Sequence, residues 1–175
     1  MVMQEKVVQP LRVGLGERSY EIFVGRNLSS DIRRMVESLR ESNRQVAVLA
    51  DEQLAILQPN FLADAFGDCP KLELPSGETT KSLEQFGSVL DFLADAKLDR
   101  SACVFVVGGG VTGDLGGFAA ASFLRGIDFI QVPSTLLAMV DSSVGGKTGI
   151  NLLAGKNLVG AFHQPRAVFA DVDLL

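Results

Sequence analysis

Apolar and polar positions along the chain follow two periods, one typical of strands and the other of helices. On both sides of GERS, residues 11–24 alternate with a period of two, which predicts an antiparallel hairpin that turns at Gly16–Ser19. Ala102–Val107 is apolar without a break, which indicates a strand covered on both faces. Further strands are predicted at Val46–Leu49, Lys71–Leu74, Asp128–Val132 and Ala167–Ala170.

Segments with helical spacing separate these strands. The first is Leu28–Arg40, for which Ser29 or Ser30 is the expected N-cap. The later helices follow Asp51 with a break near Pro59, run from SGETTKS (residues 76–82) to about Ala96, and cover Leu115–Leu124 and Ser134–Val140. Thr79 or Thr80 is the expected cap of the helix after SGETTKS. Strands that alternate with helices predict an α/β fold, a mostly parallel sheet flanked by helices.

Length and composition describe a globular chain. It has 175 residues, 47% of them hydrophobic, and a net charge of −5, enough for one domain or one piece of a larger enzyme. No basic run suits nucleic acid, so no nucleic-acid partner is expected. The most apolar window, 102–124, contains Asp114 and six glycines, so no membrane span is expected. With no secretion signal and two cysteines, expected to be reduced, a cytoplasmic location is predicted.

The sequence offers little for a metal site. Its one histidine, His163, and its two distant cysteines have no ligand spacing, so no complete metal site is expected in this chain. His163 is interpreted as structural, and Cys103 as a core residue.

The glycine-rich run GGGVTGDLGG, residues 108–117, fits G-x-G-x-x-G at Gly108, Gly110 and Gly113. In the usual dinucleotide fold an acidic residue about twenty positions later ends the next strand. Here Asp128 begins a strand, whereas the acid that ends one, Asp51, precedes the glycines. The parts of a nucleotide site are therefore present in another order. Asp51 can hold ribose hydroxyls, or it can be the N-cap of the helix after it.

Two further glycines and a lysine loop complete the glycine-rich region. Gly116 and Gly117 are expected to allow tight helix–sheet packing rather than ligand binding. The lysine loop, DSSVGGKT (residues 141–148), resembles a phosphate-binding P-loop, but Asp141 replaces the first glycine of that motif and would repel phosphates. An NTPase is therefore excluded, while Lys147 between small residues still favours an anion.

The stretch from 108 to 165 closely resembles the 3-dehydroquinate synthases, with the sequence GGGVTGDLGGFAAASFLRGIDFIQVPSTLLAMVDSSVGGKTGINLLAGKNLVGAFHQP. Asp51 and SGETTKS extend the likeness more weakly. The resemblance implies that residues 1–175 form the NAD-binding N-terminal domain, Rossmann-like with a non-standard order. It also implies a homodimeric lyase of the shikimate pathway, in aromatic amino-acid biosynthesis. Its substrate would be 3-deoxy-arabino-heptulosonate 7-phosphate, and NAD⁺ with zinc or cobalt its cofactors.

The resemblance also implies the site residues by position. Substrate would meet Asp141, Lys147 and Asn157, and Arg125 would reach the partner's substrate phosphate across a dimer interface. The cofactor residues would be Asp51, Ser76, Gly77, Glu78, Lys81, Gly109, Gly110, Val111, Thr112, Gly113, Asp114, Ser134, Thr135, Lys147 and Lys156. From the residues alone, two alternatives to cofactor binding stay open. Glu78 and Lys81 could form a helix ion pair, and Asp114 could merely balance a helix dipole.

Family members continue into a mainly helical second half that carries the metal ligands, a Glu and two His. This chain stops at Leu175, just past a strand, so we expect the chain alone to lack catalysis. Two other hypotheses remain from the sequence. One is a different sugar-phosphate cyclase, and the other is an NAD-binding module without catalysis.

Overall fold

The computed structural model describes residues 10–175. The strands are β1 (Leu11–Val13), β2 (Tyr20–Gly25), β3 (Val46–Asp51), β4 (Lys71–Leu74), β5 (Cys103–Gly108), β6 (Asp128–Pro133), β7 (Lys147–Leu152), β8 (Gly155–Phe162) and β9 (Ala167–Asp171). The α-helices are α1 (Ser29–Glu41), α2 (Glu52–Leu57), α3 (Pro59–Phe66), α4 (Leu83–Asp95) and α5 (Gly110–Ser122).

Seven strands form the central sheet in the order β1-β2-β9-β6-β5-β3-β4. Only β1 pairs antiparallel, with β2, and every other pairing in this sheet is parallel. The predicted α/β fold with an N-terminal hairpin is therefore confirmed. The parallel order brings the carboxyl ends of β6, β5 and β3 side by side, which is where such sheets bind ligands.

Helices cover both faces of the sheet, and β5 shows this residue by residue. Phe105 and Val107 belong to a buried cluster with α1, α2 and α3, whereas Val104 and Val106 belong to a second cluster with α4 and α5. All of β5 is buried, as its unbroken apolar run predicts. Burial raises the pKa of the Cys103 thiol on this strand to about 12, so it is a core residue, as predicted.

Helix α5 lies unusually close to its neighbours, because Gly116 and Gly117 have no side chains. A Cβ on Gly116 would lie 2.7 Å from Val106 Cγ1, and a Cβ on Gly117 would lie 2.5 Å from Thr148 Cγ2. Both distances are too short for real contacts, so the packing interpretation of these glycines is confirmed.

The sequence did not predict β7 and β8, which pair antiparallel as a separate ribbon against α5. Gly149 faces Gly160 across this ribbon. A Cβ on Gly160 would lie 2.0 Å from the Thr148 carbonyl oxygen, so the backbones approach more closely than side chains permit. Glycine and asparagine are poor strand formers, and they hid the ribbon from propensity-based prediction.

The predicted starts of three helices, α1, α4 and α5, were wrong. Helix α1 has no side-chain cap from Ser29 or Ser30, which lie inside it, and the Leu28 N–H instead donates to Asp171 Oδ2 at 2.7 Å. Helix α4 begins at Leu83, where Ser82 Oγ accepts from the Gln85 N–H.

Thr79 and Thr80 lie before α4 in a 3₁₀ turn, Glu78–Thr80, so neither caps it. Helix α5 begins at Gly110 rather than Leu115, directly on the glycine-rich turn. The segment after β6 ends in a π-helical turn, Ala138–Ser142. Within residues 10–175, no helix has the length and apolarity that a bilayer span requires.

Candidate functional site

The glycine-rich turn lies at the carboxyl end of β5, between the ends of β3 and β6. A Cβ on Gly108 would lie 2.8 Å from Thr112 Cβ, one on Gly109 3.2 Å from Thr135 Cγ2, and one on Gly110 3.0 Å from Ser142 Oγ. The Ser134 N–H donates to the Gly108 carbonyl at 2.9 Å. The turn therefore holds Ser134 and Thr135 against its backbone.

Helix α5 starts on this turn with free N–H groups. No side chain of the described residues caps its N-terminus at Gly109. An uncapped N-terminus of a 13-residue helix favours an anion such as a pyrophosphate. Thr112 Oγ1 is buried in the first turn and has no hydrogen-bond partner among the residues described. Val111 and Gly113 lie in the same turn, and a Cβ on Gly113 would lie 3.0 Å from Gln131 Oε1.

Asp51 ends β3 and caps α2. Its Oδ1 accepts from the N–H groups of Gln53 (3.0 Å) and Leu54 (3.2 Å) and from Ser76 Oγ (2.7 Å). Across residues 10–175, its Oδ2 accepts no hydrogen bond. The capping interpretation is therefore confirmed, and one oxygen is left that a ribose could use.

Lys81 is the most enclosed charge near the site, with 5% of its side chain exposed. Its Nζ donates to Asp114 Oδ2 at 2.5 Å and to Asn157 Oδ1 at 2.6 Å. Burial raises the pKa of Asp114 above its usual range, although Lys81 acts in the opposite direction. Lys81 thus joins α5 to the ribbon.

Glu78 and Lys81 do not form the ion pair that their spacing allowed. Glu78 Oε1 accepts from Asn151 Nδ2 at 2.7 Å and lies 3.6 Å from Lys156 Nζ. The hydrogen bond from Asn151 and the charge of Lys156 hold the pKa of Glu78 below its ordinary value. The dipole interpretation of Asp114 is also wrong, because Asp114 is the fifth residue of α5 and its partner is Lys81.

A cleft of about 460 Å³ lies between the ribbon, the π-helical turn and α5. Three of the four predicted substrate residues line it together: Asp141, Lys147 and Asn157. Its wall is otherwise formed by Asp114, Ser142, Val144, Thr148, Gly149, Leu158, Gly160, Ala161 and Phe162. Arg125 lies apart, exposed in the turn Phe123–Arg125 beyond α5, and does not line it.

A second cleft of about 570 Å³ lies on the other side of Lys81, between the ribbon and the start of α4. Glu78, Lys81 and Lys156, all predicted cofactor residues, line it together with Asn151. Gly77 opens the SGETTKS turn with a φ of 102°, a backbone angle that favours glycine. The predicted cofactor residues therefore occupy three places: the strand ends, this cleft, and the first cleft, which Asp114 and Lys147 line.

The lysine loop that enters the first cleft is fixed by residues that the sequence did not single out. The Gly145 N–H donates to Tyr20 Oη at 3.3 Å, and Gln164 Nε2 donates to the Gly145 carbonyl at 3.1 Å. Both partners are distant in sequence, so no local signal points to them. His163 contacts the Ile127 carbonyl at 2.8 Å through Nε2 and stacks on Phe129, which confirms its structural role.

Metal-binding side chains do not converge in the part of the chain that the structure describes. No three of its His, Cys, Asp and Glu side chains come together as a metal site.

Comparisons with known proteins agree with this geometry. The 3-dehydroquinate synthase of Opitutus terrae is 58% identical over 165 residues, which are 94% of this chain and 46% of that protein. The chain thus spans about half the length of the curated relatives it matches.

Two solved structures share the fold. A 2-deoxy-scyllo-inosose synthase complexed with carbaglucose-6-phosphate, NAD⁺ and Co²⁺ is 31% identical with a TM-score of 0.82, covering 95% of this chain and 47% of that one. The 2-epi-5-epi-valiolone synthase ValA of Streptomyces hygroscopicus subsp. jinggangensis, with NAD⁺ and Zn²⁺ bound, is 26% identical with a TM-score of 0.79, covering 93% and 45%.

The sequence model described as 3-dehydroquinate synthase N-terminal matches residues 71–175, more than half of the chain. That match takes in the glycine-rich turn, the lysine loop and both clefts. On this evidence the chain belongs to the 3-dehydroquinate synthase family.

Proposed function

We propose that residues 1–175 form the NAD-binding N-terminal half of a 3-dehydroquinate synthase. The complete synthase, a phosphorus–oxygen lyase, would convert 3-deoxy-arabino-heptulosonate 7-phosphate into 3-dehydroquinate and phosphate. One observation carries the proposal: Asp141, Lys147 and Asn157 line a single cleft beside α5, whose N-terminus carries the glycine-rich turn. That arrangement supports a phosphate and hydroxyl site close to a dinucleotide site.

The residues at the strand ends fit NAD⁺. The free N–H groups at the start of α5 suit a pyrophosphate. Asp51 Oδ2 can accept hydrogen bonds from the adenosine ribose hydroxyls. In NADP a phosphate takes the place of the 2′-hydroxyl, and its negative charge would be repelled by the Asp51 carboxylate. Glu78, Lys81 and Lys156 would border the cofactor, and Ser134 and Thr135 would lie at its nicotinamide side.

The cofactor, when bound, would supply the hydride chemistry: the carbon that bears one substrate hydroxyl would be oxidised to a ketone by loss of its hydride and later reduced again by the return of that hydride. The chain's own residues would bind and orient the substrate. Lys147 is exposed at the cleft and would attract the phosphate, and the Asn157 amide would donate to it. Asp141, which also lines the cleft, would accept hydrogen bonds from substrate hydroxyls.

The described residues do not fit a divalent metal, since no three ligating side chains converge. We therefore place the ligands of a zinc or cobalt ion in the second half of the synthase, outside this chain. Co²⁺ or Zn²⁺ is bound in the two solved sugar-phosphate cyclases.

We further propose that the synthase is a cytoplasmic homodimer in which Arg125 serves the partner's substrate phosphate. Leu124 and Arg125 both have positive φ angles, 50° and 69°. Two successive non-glycine residues in this region are strained, and such strain concentrates at functional positions. The strained turn would aim Arg125 away from its own cleft.

The test uses the complete synthase with NAD⁺, Co²⁺ and the heptulosonate phosphate, and follows phosphate release. Lys147→Ala should lower kcat/KM by about tenfold to hundredfold, the usual cost of a lost charged hydrogen bond. Lys71→Ala, at an exposed lysine of β4 that lines neither cleft, is the matched control and should change little. Equal effects of the two substitutions would contradict the proposed substrate site.

A second candidate is another sugar-phosphate cyclase, which the likeness to 2-deoxy-scyllo-inosose synthase favours. A panel of sugar phosphates separates the two. Preferred turnover of a sugar phosphate other than the deoxy heptulosonate would replace our assignment with this one.

A further inference from the structure

The ribbon carries an irregularity at the point where it meets the proposed cofactor. Ile150 pairs with Val159 and Leu152 pairs with Gly155, so a single β7 residue, Asn151, opposes three β8 residues, 156–158. Such a bulge re-aims the side chains on the longer strand. Here the bulged residues include Lys156 and Asn157, two residues of the proposed site.

Asn157 has a left-handed backbone conformation, with a φ of 55°, which asparagine adopts more readily than most residues with a side chain. Contacts to both its backbone and its side chain hold it in place. Its N–H donates to Asn151 Oδ1 at 2.9 Å, and its own Oδ1 accepts from buried Lys81. The Asn151 side chain therefore accepts a hydrogen bond from the Asn157 N–H, which the bulge leaves without a partner in the ribbon.

Asn151 also fastens the bulge to the SGETTKS turn. Its Nδ2 donates to Glu78 Oε1 at 2.7 Å, and its backbone N–H donates to the Lys81 carbonyl at 2.8 Å. One half-buried amide thus accepts from the ribbon and donates to the turn. Aspartate could accept but not donate, and it would place a second carboxylate beside Glu78.

We infer that Asn151 is a positioning residue for the cofactor site. Its amide fixes the β8 bulge against the SGETTKS turn and so sets where Glu78 and Lys156 meet NAD⁺ and where Asn157 meets the substrate. This inference rests on the proposed function.

The experiment exchanges donor and acceptor between the two partners in the complete synthase, with the dissociation constant of NAD⁺ measured by calorimetry. Asn151→Asp should weaken NAD⁺ binding by about tenfold, since two carboxylates would then face each other. Asn60→Asp, the same change at an exposed residue of α3, is the control and should leave affinity within about twofold.

The combination Asn151→Asp with Glu78→Gln restores a donor–acceptor pair in the reverse sense. It should bind NAD⁺ within about threefold of Glu78→Gln alone, because the pair is coupled. The inference would be overturned if the loss of NAD⁺ affinity in the double variant equalled the product of the losses in the two single variants, or if Asn151→Asp left the affinity unchanged.

Folding is monitored by circular dichroism for each variant. If Asn151→Asp does not fold, a double variant that folds and binds like Glu78→Gln supports the inference. A double variant that also fails to fold overturns it, because Asn151 would then serve the fold alone. Failure of the unmodified synthase to bind NAD⁺ would instead overturn the proposed function, and the inference with it.

Discussion

Asp51 divides its two carboxylate oxygens between the fold and the proposed ligand. One oxygen caps α2 and accepts from Ser76, while the other is free within the described residues. A substitution that removes the cap would therefore change both the stability of the fold and the affinity for NAD⁺, and the two effects could not be separated. Asparagine is as good an N-cap as aspartate, so Asp51→Asn isolates the ligand-facing charge.

We predict that Asp51→Asn in the complete synthase weakens NAD⁺ binding by about 1–3 kcal/mol, the usual cost of losing a charged hydrogen-bond partner. It should also narrow the preference for NAD⁺ over NADP⁺, because the repulsion of the 2′-phosphate is gone. Calorimetry with both cofactors measures this, and Asp64→Asn at an exposed residue of α3 is the control. Equal affinity of the unmodified protein for the two cofactors would show that Asp51 does not face the ribose.

The partly buried carboxylate of Asp128 is expected to make a pH-dependent contribution to stability. Burial alone would raise the pKa of this carboxyl, but hydrogen bonds from Arg166 and Arg44, at 2.8 and 2.6 Å, outweigh it and lower the pKa. A folded-state pKa below the unfolded one means that the stabilisation is present above the ordinary Asp pKa of about 3.9 and lost as pH falls through the folded value.

Asp128→Asn should therefore lower the free energy of unfolding at pH 7 by on the order of 1–3 kcal/mol. The difference from the unmodified chain should shrink as the pH falls below about 4. Urea unfolding across this range measures it. Asp91→Asn, at an exposed carboxylate with no ion pair among residues 10–175, should show no such trend. A pH-independent loss for Asp128→Asn would contradict the ion-pair explanation.

At the candidate site, the identity of the residues could be predicted from the sequence, but most of their contacts could not. The resemblance to the 3-dehydroquinate synthases implied one site for Lys147 and Asn157, and both line the same cleft. It could not predict that Lys81 joins Asp114 to Asn157, because these partners lie 33 and 76 positions away. Such contacts depend on how α5 packs against the ribbon, which no local pattern encodes.

At the scale of elements, strongly periodic or apolar segments were predictable and glycine-rich ones were not. The parallel strands and the hairpin followed from apolar runs and alternation, and the structure confirms them. The ribbon β7–β8 and the first turn of α5 were missed, because glycine disfavours both strand and helix. There, close backbone approach decides the structure in place of propensity.

Helix α5 also provides a matched test of packing. Gly117→Ala would put a methyl group 2.5 Å from Thr148 and 3.1 Å from Phe129 Cε2, and should lower the free energy of unfolding by about 1–3 kcal/mol. Gly87→Ala on α4 has nothing within 4 Å and should stabilise by about 0.5–1 kcal/mol through helix propensity.

Denaturant unfolding of the two glycine variants measures both effects in one chain. Because the substitution is identical, opposite signs would isolate packing from propensity. A Gly117→Ala variant as stable as Gly87→Ala would show that the ribbon moves away at little cost.

At the scale of the whole molecule, Arg125 lies outside the cleft that it is proposed to serve. If it acts across a dimer, Arg125→Ala in the complete synthase should reduce turnover while NAD⁺ binding stays within about twofold. Mixing it with Lys147→Ala should restore some activity, because a hybrid dimer contains one site with both residues intact. No rescue, with hybrids shown to form by mass spectrometry, would mean that Arg125 acts within its own chain or not at all.

The last prediction is that this chain alone does not catalyse the proposed reaction. The oxidation step requires a Lewis acid with about three protein ligands, and none converge within residues 10–175. The first cleft offers Lys147 and Asn157 for a phosphate but no second cation to anchor the substrate carboxylate. Leu137, Val140 and Phe162 are 67%, 68% and 79% exposed, and such apolar surface favours association of the isolated chain.

Purified chain supplied with NAD⁺, Zn²⁺ or Co²⁺ and the heptulosonate phosphate should therefore release no more phosphate than its Lys147→Ala variant. Adding the second half as a separate polypeptide should start turnover only if the two halves assemble. Assembly would bring the missing ligands to the cleft and exclude water from it. Metal-dependent turnover by the unassisted chain would overturn the prediction, because a metal site would then have to form from side chains that lie apart in this structure.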